Sequence, residues 1–320
     1  MEKIARYSKE AKAAERRRAT KRKLRSIVTN WQLYLMALPA VLSIILFNYK
    51  PMYGIIIAFK DFKFKQGIMG SPWVGFEHFE ALFSSLMFPM ILRNTLTLSI
   101  LGLVIGFPIP ILLALMANEI KNEKIKRTFQ TVSYAPHFIS TVVMCGMVAM
   151  FCSPSSGIIN LAIKALGGQA ISFLEGEHMF KWVYVLSGVW QGSGWGAIIY
   201  FAALSGVDQS LLEAAEIDGA SRLQKIWYIN VPVLVPTIMI MLVLNCGQLL
   251  SVGYEKAYLL QNSTNLAGSE IISTYVYKQG LESFNYSYST AIGIFNSVCN
   301  TIILVAANTF SRKVSSSSLW

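Results

Sequence analysis

Asp208-Gln-Ser-Leu-Leu-Glu213-Ala-Ala-Glu-Ile-Asp218-Gly219-Ala-Ser221-Arg-Leu-Gln224-Lys-Ile-Trp-Tyr-Ile229-Asn-Val-Pro232-Val-Leu-Val-Pro236 spells two helices, a hinge between them, and an entry into apolar chain. Asp208 suits a helix N-cap, where its charge meets the positive end of the helix dipole. Leu211–Ile217 then reads as helix, with Ala214-Ala215 leaving one side unobstructed. Gly219 stops it, because glycine alone enters the left-handed region cheaply. Ser221 with Gln224 three residues later forms a capping-box pair that starts a second helix. Pro232 and Pro236 fall early in the next segment, where a missing N–H costs least. The product is a compact knob carrying Glu213, Glu216 and Asp218, attached to whatever lies on each side. An amphipathic connector beside anionic lipid would favour basic residues. This loop has four acids against Arg222 and Lys225, which suits a protein partner better.

What lies on each side is membrane. Hydrophobic residues make up 54% of the 320 positions and charged residues only 14%, against about a quarter charged in soluble domains. No Asp, Glu, Lys or Arg occurs in 26–49, 94–118, 128–163, 182–207, 226–254 or 283–311. Each gap can hold the roughly 20 apolar residues a bilayer helix needs. The spacing predicts spans over 29–49, 94–117, 132–152, 182–205, 231–251 and 288–310, an all-α, polytopic bundle of six transmembrane helices. The first is read as retained, since about 25 mostly polar residues precede it and no small-residue cleavage site follows. Eleven Lys and Arg residues crowd 1–25, and the positive-inside rule puts both termini in the cytoplasm. The domains expected are a basic cytoplasmic tail (1–28), a transmembrane domain (29–310) with its loop at 207–231, and a cytoplasmic C-terminal tail (311–320).

The net charge of +11 then needs no nucleic acid. A basic tail next to a span meets anionic lipid headgroups. Cys145, Cys152, Cys246 and Cys299 are isolated, and His78, His137 and His178 are scattered, so no metal or cofactor site is expected. Outside the spans, Phe76, Phe79, Phe83 and Leu86 recur at helical spacing and predict an interfacial helix. Ile158–Leu166 predicts another, stopped by Gly167-Gly168, and the segment after Ser269 a third.

Within the spans, Gly102-xxx-Gly106 and Gly192-xxx-Gly196 match the spacing of close helix packing. The cluster Gly192-Ser193-Gly194-Trp195-Gly196 lacks the Lys-Ser/Thr of a P-loop. Pro108 and Pro110 should kink the second span. Asn245 and Gln248 share a face of the fifth span, Asn296 and Asn300 a face of the sixth, and Gln191 follows Trp190 in the fourth. Such amides either bond helices together or line a wet solute path. With flanking aromatics they suit a neutral, hydroxyl-rich solute. The lack of Lys or Arg in the spans argues against a highly anionic one.

The order Glu213-Ala214-Ala215, then Asp218-Gly219-Ala220, Ile229 and Pro232, resembles the EAA signature of binding-protein-dependent ABC importer permeases, with Val231 where a Leu is usual. Leu35–Pro39, Trp73–Phe79 and Arg93–Leu96 are similar to the MalF-type half of carbohydrate permeases. Tyr49–Asp61 and the Ala307-Asn308…Ser318-Leu319-Trp320 ending resemble the polysaccharide and oligosaccharide branch; His78 stands where that family has Asn. The resemblance implies a type I importer permease fold with no catalytic site. It also implies an ABC ATPase dimer that receives the loop, a second, MalG-type permease, and an extracytoplasmic solute-binding lipoprotein. An amino-acid or polyol-phosphate permease is the alternative within the class. A membrane enzyme, a secondary transporter and a scaffold fit less well: convergent titratable residues, membrane carboxylates and an inverted repeat are missing, and a scaffold leaves the knob unexplained.

Overall fold

The computed structural model describes residues 29–314. The basic tail expected at 1–28 and the Ser315–Trp320 ending lie outside them. The chain separates into two units, up to Ile56 and from Ile57 onward. Regular structure among the described residues is helical, apart from one isolated bridge between Lys60 and Trp73.

In the first unit, helix α1 begins at Trp31 and runs on to Phe59, longer than the predicted 29–49. The second unit opens with a segment between the first two predicted spans that ends in α2 (Glu77–Ser84). There the Lys60 ammonium donates to the Ile68 and Met69 carbonyls, while His78 donates to the Lys60 carbonyl at 3.1 Å. His78 therefore clips α2 to the turn before it. The predicted aromatic stripe does not face the core: Phe76, Phe83 and Leu86 are exposed, and Leu82 is the buried contact. Leu82 packs with Ile91, Ile272, Tyr288 and Ile292.

Helix α3 (Phe88–Asn118) covers the second predicted span. Where a kink was expected it carries a widened turn at Gly102–Gly106, placed ahead of Pro108. The same device recurs at Ile226–Asn230 ahead of Pro232. A proline removes a ladder N–H and crowds the carbonyl a turn earlier, and a wide turn absorbs both.

The third predicted span, 132–152, is not one helix. Helices α4 (Glu123–Phe138) and α5 (Thr141–Phe151) meet at 97°. Pro136 tightens the end of α4, and Ser140 leaves the helical region to cap α5 through the Val143 N–H. Helix α6 (Ile158–Ala165) ends as expected at Gly167, whose φ is +82°.

Helix α7 (Glu177–Leu204) contains the fourth predicted span. At about 42 Å it is long enough to cross a bilayer, although Gln191, Ser193 and three glycines dilute its middle. After α8 (Gln209–Ile217), α9 (Arg222–Cys246) ends five residues before the predicted 251. Helices α10 (Tyr254–Leu260) and α11 (Ile272–Tyr277) lie between the fifth and sixth predicted spans, and α12 (Tyr286–Val314) covers the sixth. Among the described residues, α1, α3, α9 and α12 are long and apolar enough to cross a membrane, and α4–α5 makes five if the bent pair is one span. The expected count of six is not reached on that measure.

Within the second unit α7 is the central post, packing against α3, α4 and α9. Its glycine cluster explains the elbow. A Cβ on Gly194 would stand 1.9 Å from the Ser133 carbonyl oxygen, and one on Gly196 3.2 Å from Pro110. His137 stacks on Trp195 at 4.6 Å, and Gln191 donates to the Ile139 carbonyl at 2.9 Å. Of the paired glycines, Gly196 packs closely and a Cβ on Gly106 would meet Val189 of α7 at 3.5 Å, with Gly194 the tightest contact beside them. Gly102 and Gly192 instead face open space.

Candidate functional site

The loop of 207–231 folds as its residues dictate. Asp208 accepts from the Ser210 N–H at 2.9 Å, and that bond holds its carboxyl below the usual carboxylate range. Helix α8 closes at Gly219, φ +77°. The Gly219 N–H reaches the Glu216 carbonyl and the Ala220 N–H the Ala215 carbonyl, at 3.1 and 2.9 Å, the paired bonds of a Schellman stop. Ser221 and Gln224 then cap each other reciprocally. Lys225 lies 3.5 Å from Glu216 across the turn.

This knob is fastened to the spans from below. Leu212, Ile226, Ile229 and Val231 pack on a buried cluster of Ala114, Leu115, Tyr200, Leu204, Val207 and Leu234. Ile229 therefore anchors, while Glu213, Ala214, Asp218, Gly219 and Pro232 are exposed and Ala215 and Ala220 half-buried. Around them stand large apolar side chains without cover in this chain: Ile217, Leu223, Trp227 and Tyr228, 86%, 69%, 65% and 79% exposed. The acidic, capped knob is thus ringed with bare apolar residues, the kind of exposed patch that marks interaction surfaces in general. The acids were legible in the sequence; the apolar ring was not singled out, because Ile217 and Leu223 read as ordinary inward positions of short helices.

The solute-path candidates divide. Asn245 and Gln248 stand together on a cleft of about 450 Å³ whose wall includes Ser99, Phe107, Tyr184 and Tyr200. Gln191 lines a second cleft of about 350 Å³ that shares Leu98, Gly102, Gly106, Pro110 and Tyr184 with the first. Asn296 and Asn300 line neither. Asn300 is buried; its Oδ1 accepts from the Leu250 N–H and its Nδ2 donates to Ser251, both at 2.9 Å. It ties α12 to the end of α9, the helix-bonding role weighed above. Asn296 Oδ1 and both amide atoms of Asn230 are buried without a partner. No metal cluster occurs among the described residues.

The chain is thus a bundle of long apolar helices that carries an exposed acidic knob and a cleft walled in part by Asn245 and Gln248. Residues 106–316 match the family model of the binding-protein-dependent transport system inner membrane component, and the chain belongs to that family. It is 43% identical over 293 residues to the polygalacturonan/rhamnogalacturonan transport system permease protein YteP of Bacillus subtilis, covering 92% of this chain and 91% of that one. It is 41% identical over 288 residues to protein LplB of the same organism, covering 90% and 91%. Among solved structures it resembles a bacterial ABC transporter involved in import of the acidic polysaccharide alginate, with TM-score 0.84 and 41% identity over 92% of this chain and 99% of that one. A second structure of the alginate transporter, in complex with alginate pentasaccharide-bound periplasmic protein, matches with TM-score 0.84 and 40% identity over the same shares. The chain is thus an integral membrane permease subunit rather than an enzyme.

Proposed function

We propose that this chain is the MalF-type half of an ABC importer that carries oligosaccharides or polysaccharide fragments across a bacterial plasma membrane. The observation that carries it is the knob, with Glu213, Asp218 and Gly219 exposed above an anchored base. In this reading Glu213–Ala220 docks on an ABC ATPase dimer, with Ile229 and Pro232 at its root. A second, MalG-type permease supplies the other knob, and a solute-binding lipoprotein delivers substrate to the outer segments. Both termini lie in the cytoplasm, the 1–28 tail against anionic lipid, with 29–310 as the permease domain and 311–320 as the second tail. The saccharide reading draws on the polygalacturonan/rhamnogalacturonan permease and the alginate transporter that this chain resembles. Asn245, Gln248 and Gln191 serve the path, offering donors and acceptors beside the flat faces of Tyr184 and Tyr200.

The test is ATP-driven uptake by the assembled complex with its binding protein, before and after Glu213→Lys. Reversing the charge should abolish uptake and release the ATPase on purification. Unchanged uptake, with the ATPase still bound, would defeat the docking role.

A further inference from the structure

Lys256, on α10, puts an ammonium into the wall of the second cleft, which Gln191 also lines. It enters from the outer segment, so the absence of basic residues within the spans does not describe the cleft. Its Nζ lies 4.4 Å from the centre of the Tyr184 ring and donates to the Tyr184 carbonyl. The space it fills is kept by Gly188: a Cβ there would stand 2.9 Å from the ammonium. No Asp or Glu forms an ion pair with it among the described residues. An ammonium has three donors, and one carbonyl satisfies one of them.

A half-buried cation without a counter-ion is unfavourable unless something compensates its lost hydration. A bond from α10 to the Tyr184 carbonyl could be made by a neutral side chain, so tethering alone does not account for a charge here. Burial pushes the Lys256 pKa down to about 8, which leaves it mostly charged at neutral pH. The cleft joins that of Asn245 and Gln248 along Tyr184 and Gly102. Both volumes fall in the roughly 300–1,000 Å³ range of small-ligand sites. The glycines widen the cleft, since Gly102 and Gly192 face open space. A third cleft, lined by Arg93, His178 and Lys181, meets both at Leu98. Arg93 and Lys181 also border an apolar groove with Trp182, an arrangement suited to lipid headgroups, so the selecting charge is assigned to Lys256 alone.

Resting on the reading of this chain as a saccharide permease, we propose that Lys256 receives the carboxylate of uronate residues as an acidic oligosaccharide passes the cleft, and so favours acidic over neutral chains.

The experiment uses the assembled transporter in liposomes. Each sugar is delivered on saturating, fully liganded binding protein, so that protein's own preference drops out. Uptake rates are compared for a uronate oligosaccharide and for the same chain with its carboxyls reduced to alcohols. Wild type should favour the acidic chain about tenfold, the scale of one desolvated charge pair. Lys256→Gln should erase that preference by slowing the acidic chain, and Lys256→Arg should keep it. An unchanged preference in Lys256→Gln, or an equal fall for both sugars, overturns the assignment. If Lys256→Gln does not assemble, the wild type decides: equal uptake of the acid and its methyl ester overturns the proposal, and preference for the acid upholds it. Uptake of neither sugar by wild type would instead remove the saccharide reading itself.

Discussion

Replacing Gly219 separates two demands that one residue meets, and the structure gives the size of each. The first is the turn. At φ +77° a residue with a Cβ pays about 1–2 kcal/mol for the left-handed conformation. That is roughly a five- to thirty-fold loss in the population of the closed turn, because the two Schellman bonds hold it only if Gly219 stays left-handed. The second demand is space. A Cβ at Gly219 meets nothing within 4 Å in this chain, so size alone costs nothing here. Gly219→Ala and Gly219→Trp therefore share the backbone penalty and differ only in what they present to a partner. In the assembled complex, Gly219→Ala should lower ATP-driven uptake about fivefold or more and Gly219→Trp should abolish it. Binding-protein-stimulated ATP hydrolysis should follow the same order, and thermal melting of the two permeases should coincide. Full uptake and full stimulated hydrolysis in Gly219→Trp would refute the coupling role. A Trp variant no worse than Ala would confine the glycine to the turn and refute the close fit.

Three further outcomes follow from the packing. Gly194→Ala forces a methyl into the Ser133 backbone and should cost about 1–3 kcal/mol or more, read as lower yield and melting temperature of the purified complex; Gly192→Ala, facing open space, should be neutral or slightly stabilising. Asn300→Ala strands the buried Leu250 N–H and should cost about 1–3 kcal/mol, lowering complex stability while leaving the acid-to-neutral uptake ratio as in wild type; a changed ratio with normal stability would place Asn300 on the path instead. Lys278→Met leaves Glu270, 2% exposed and paired with Lys278 at 2.5 Å, as an unpaired buried acid. It should cost about 3–5 kcal/mol, and Glu270→Gln with Lys278→Met should recover part of that on a melting curve.

The local grammar of the loop was fully legible: Asp208, Gly219 and the Ser221–Gln224 pair each act through neighbours within five residues, and the structure has all three. The existence of the apolar helices was legible for the same reason, since hydrocarbon demands a length of uncharged chain. The elbow at Phe138–Thr141 was hidden because a charge-free run does not record where the backbone turns; Pro136 and Ser140 carry that signal, and it is weaker than the run around them. The amides looked alike in sequence. Asn300 and Asn245 were told apart only by what α9 does after Cys246, where its early end presents a backbone N–H that Asn300 takes. Lys256 was missed because it lies five residues beyond a predicted span, yet its side chain reaches back to the Gly188 notch.

The knob and the cleft are parts of one packed body, and that bears on how a force at one could reach the other. Leu212 of α8 packs on the cluster that contains Leu204 and Tyr200 of α7, and Tyr200 is itself a wall of the Asn245–Gln248 cleft. Met241 likewise touches that cluster and lines that cleft. A close-packed interior transmits displacement rather than absorbing it. A push on Glu213–Gly219 therefore cannot move α8 without moving the ends of α7 and α9. The compliant places are the wide turns at Gly102–Gly106 and Ile226–Asn230, where the ladder is already loosened ahead of a proline. The first forms part of the cleft wall, and the second lies within α9, between the knob's end of that helix and the apolar length beyond Pro232. Asn230, buried in that second turn with neither amide atom satisfied, adds a local cost there of about 1–3 kcal/mol. Asn230→Leu should remove that cost, raising the melting temperature of the complex while slowing uptake, because a hinge that has been stabilised in one shape bends less readily. A gain in stability with no loss of rate would show that the bending lies elsewhere.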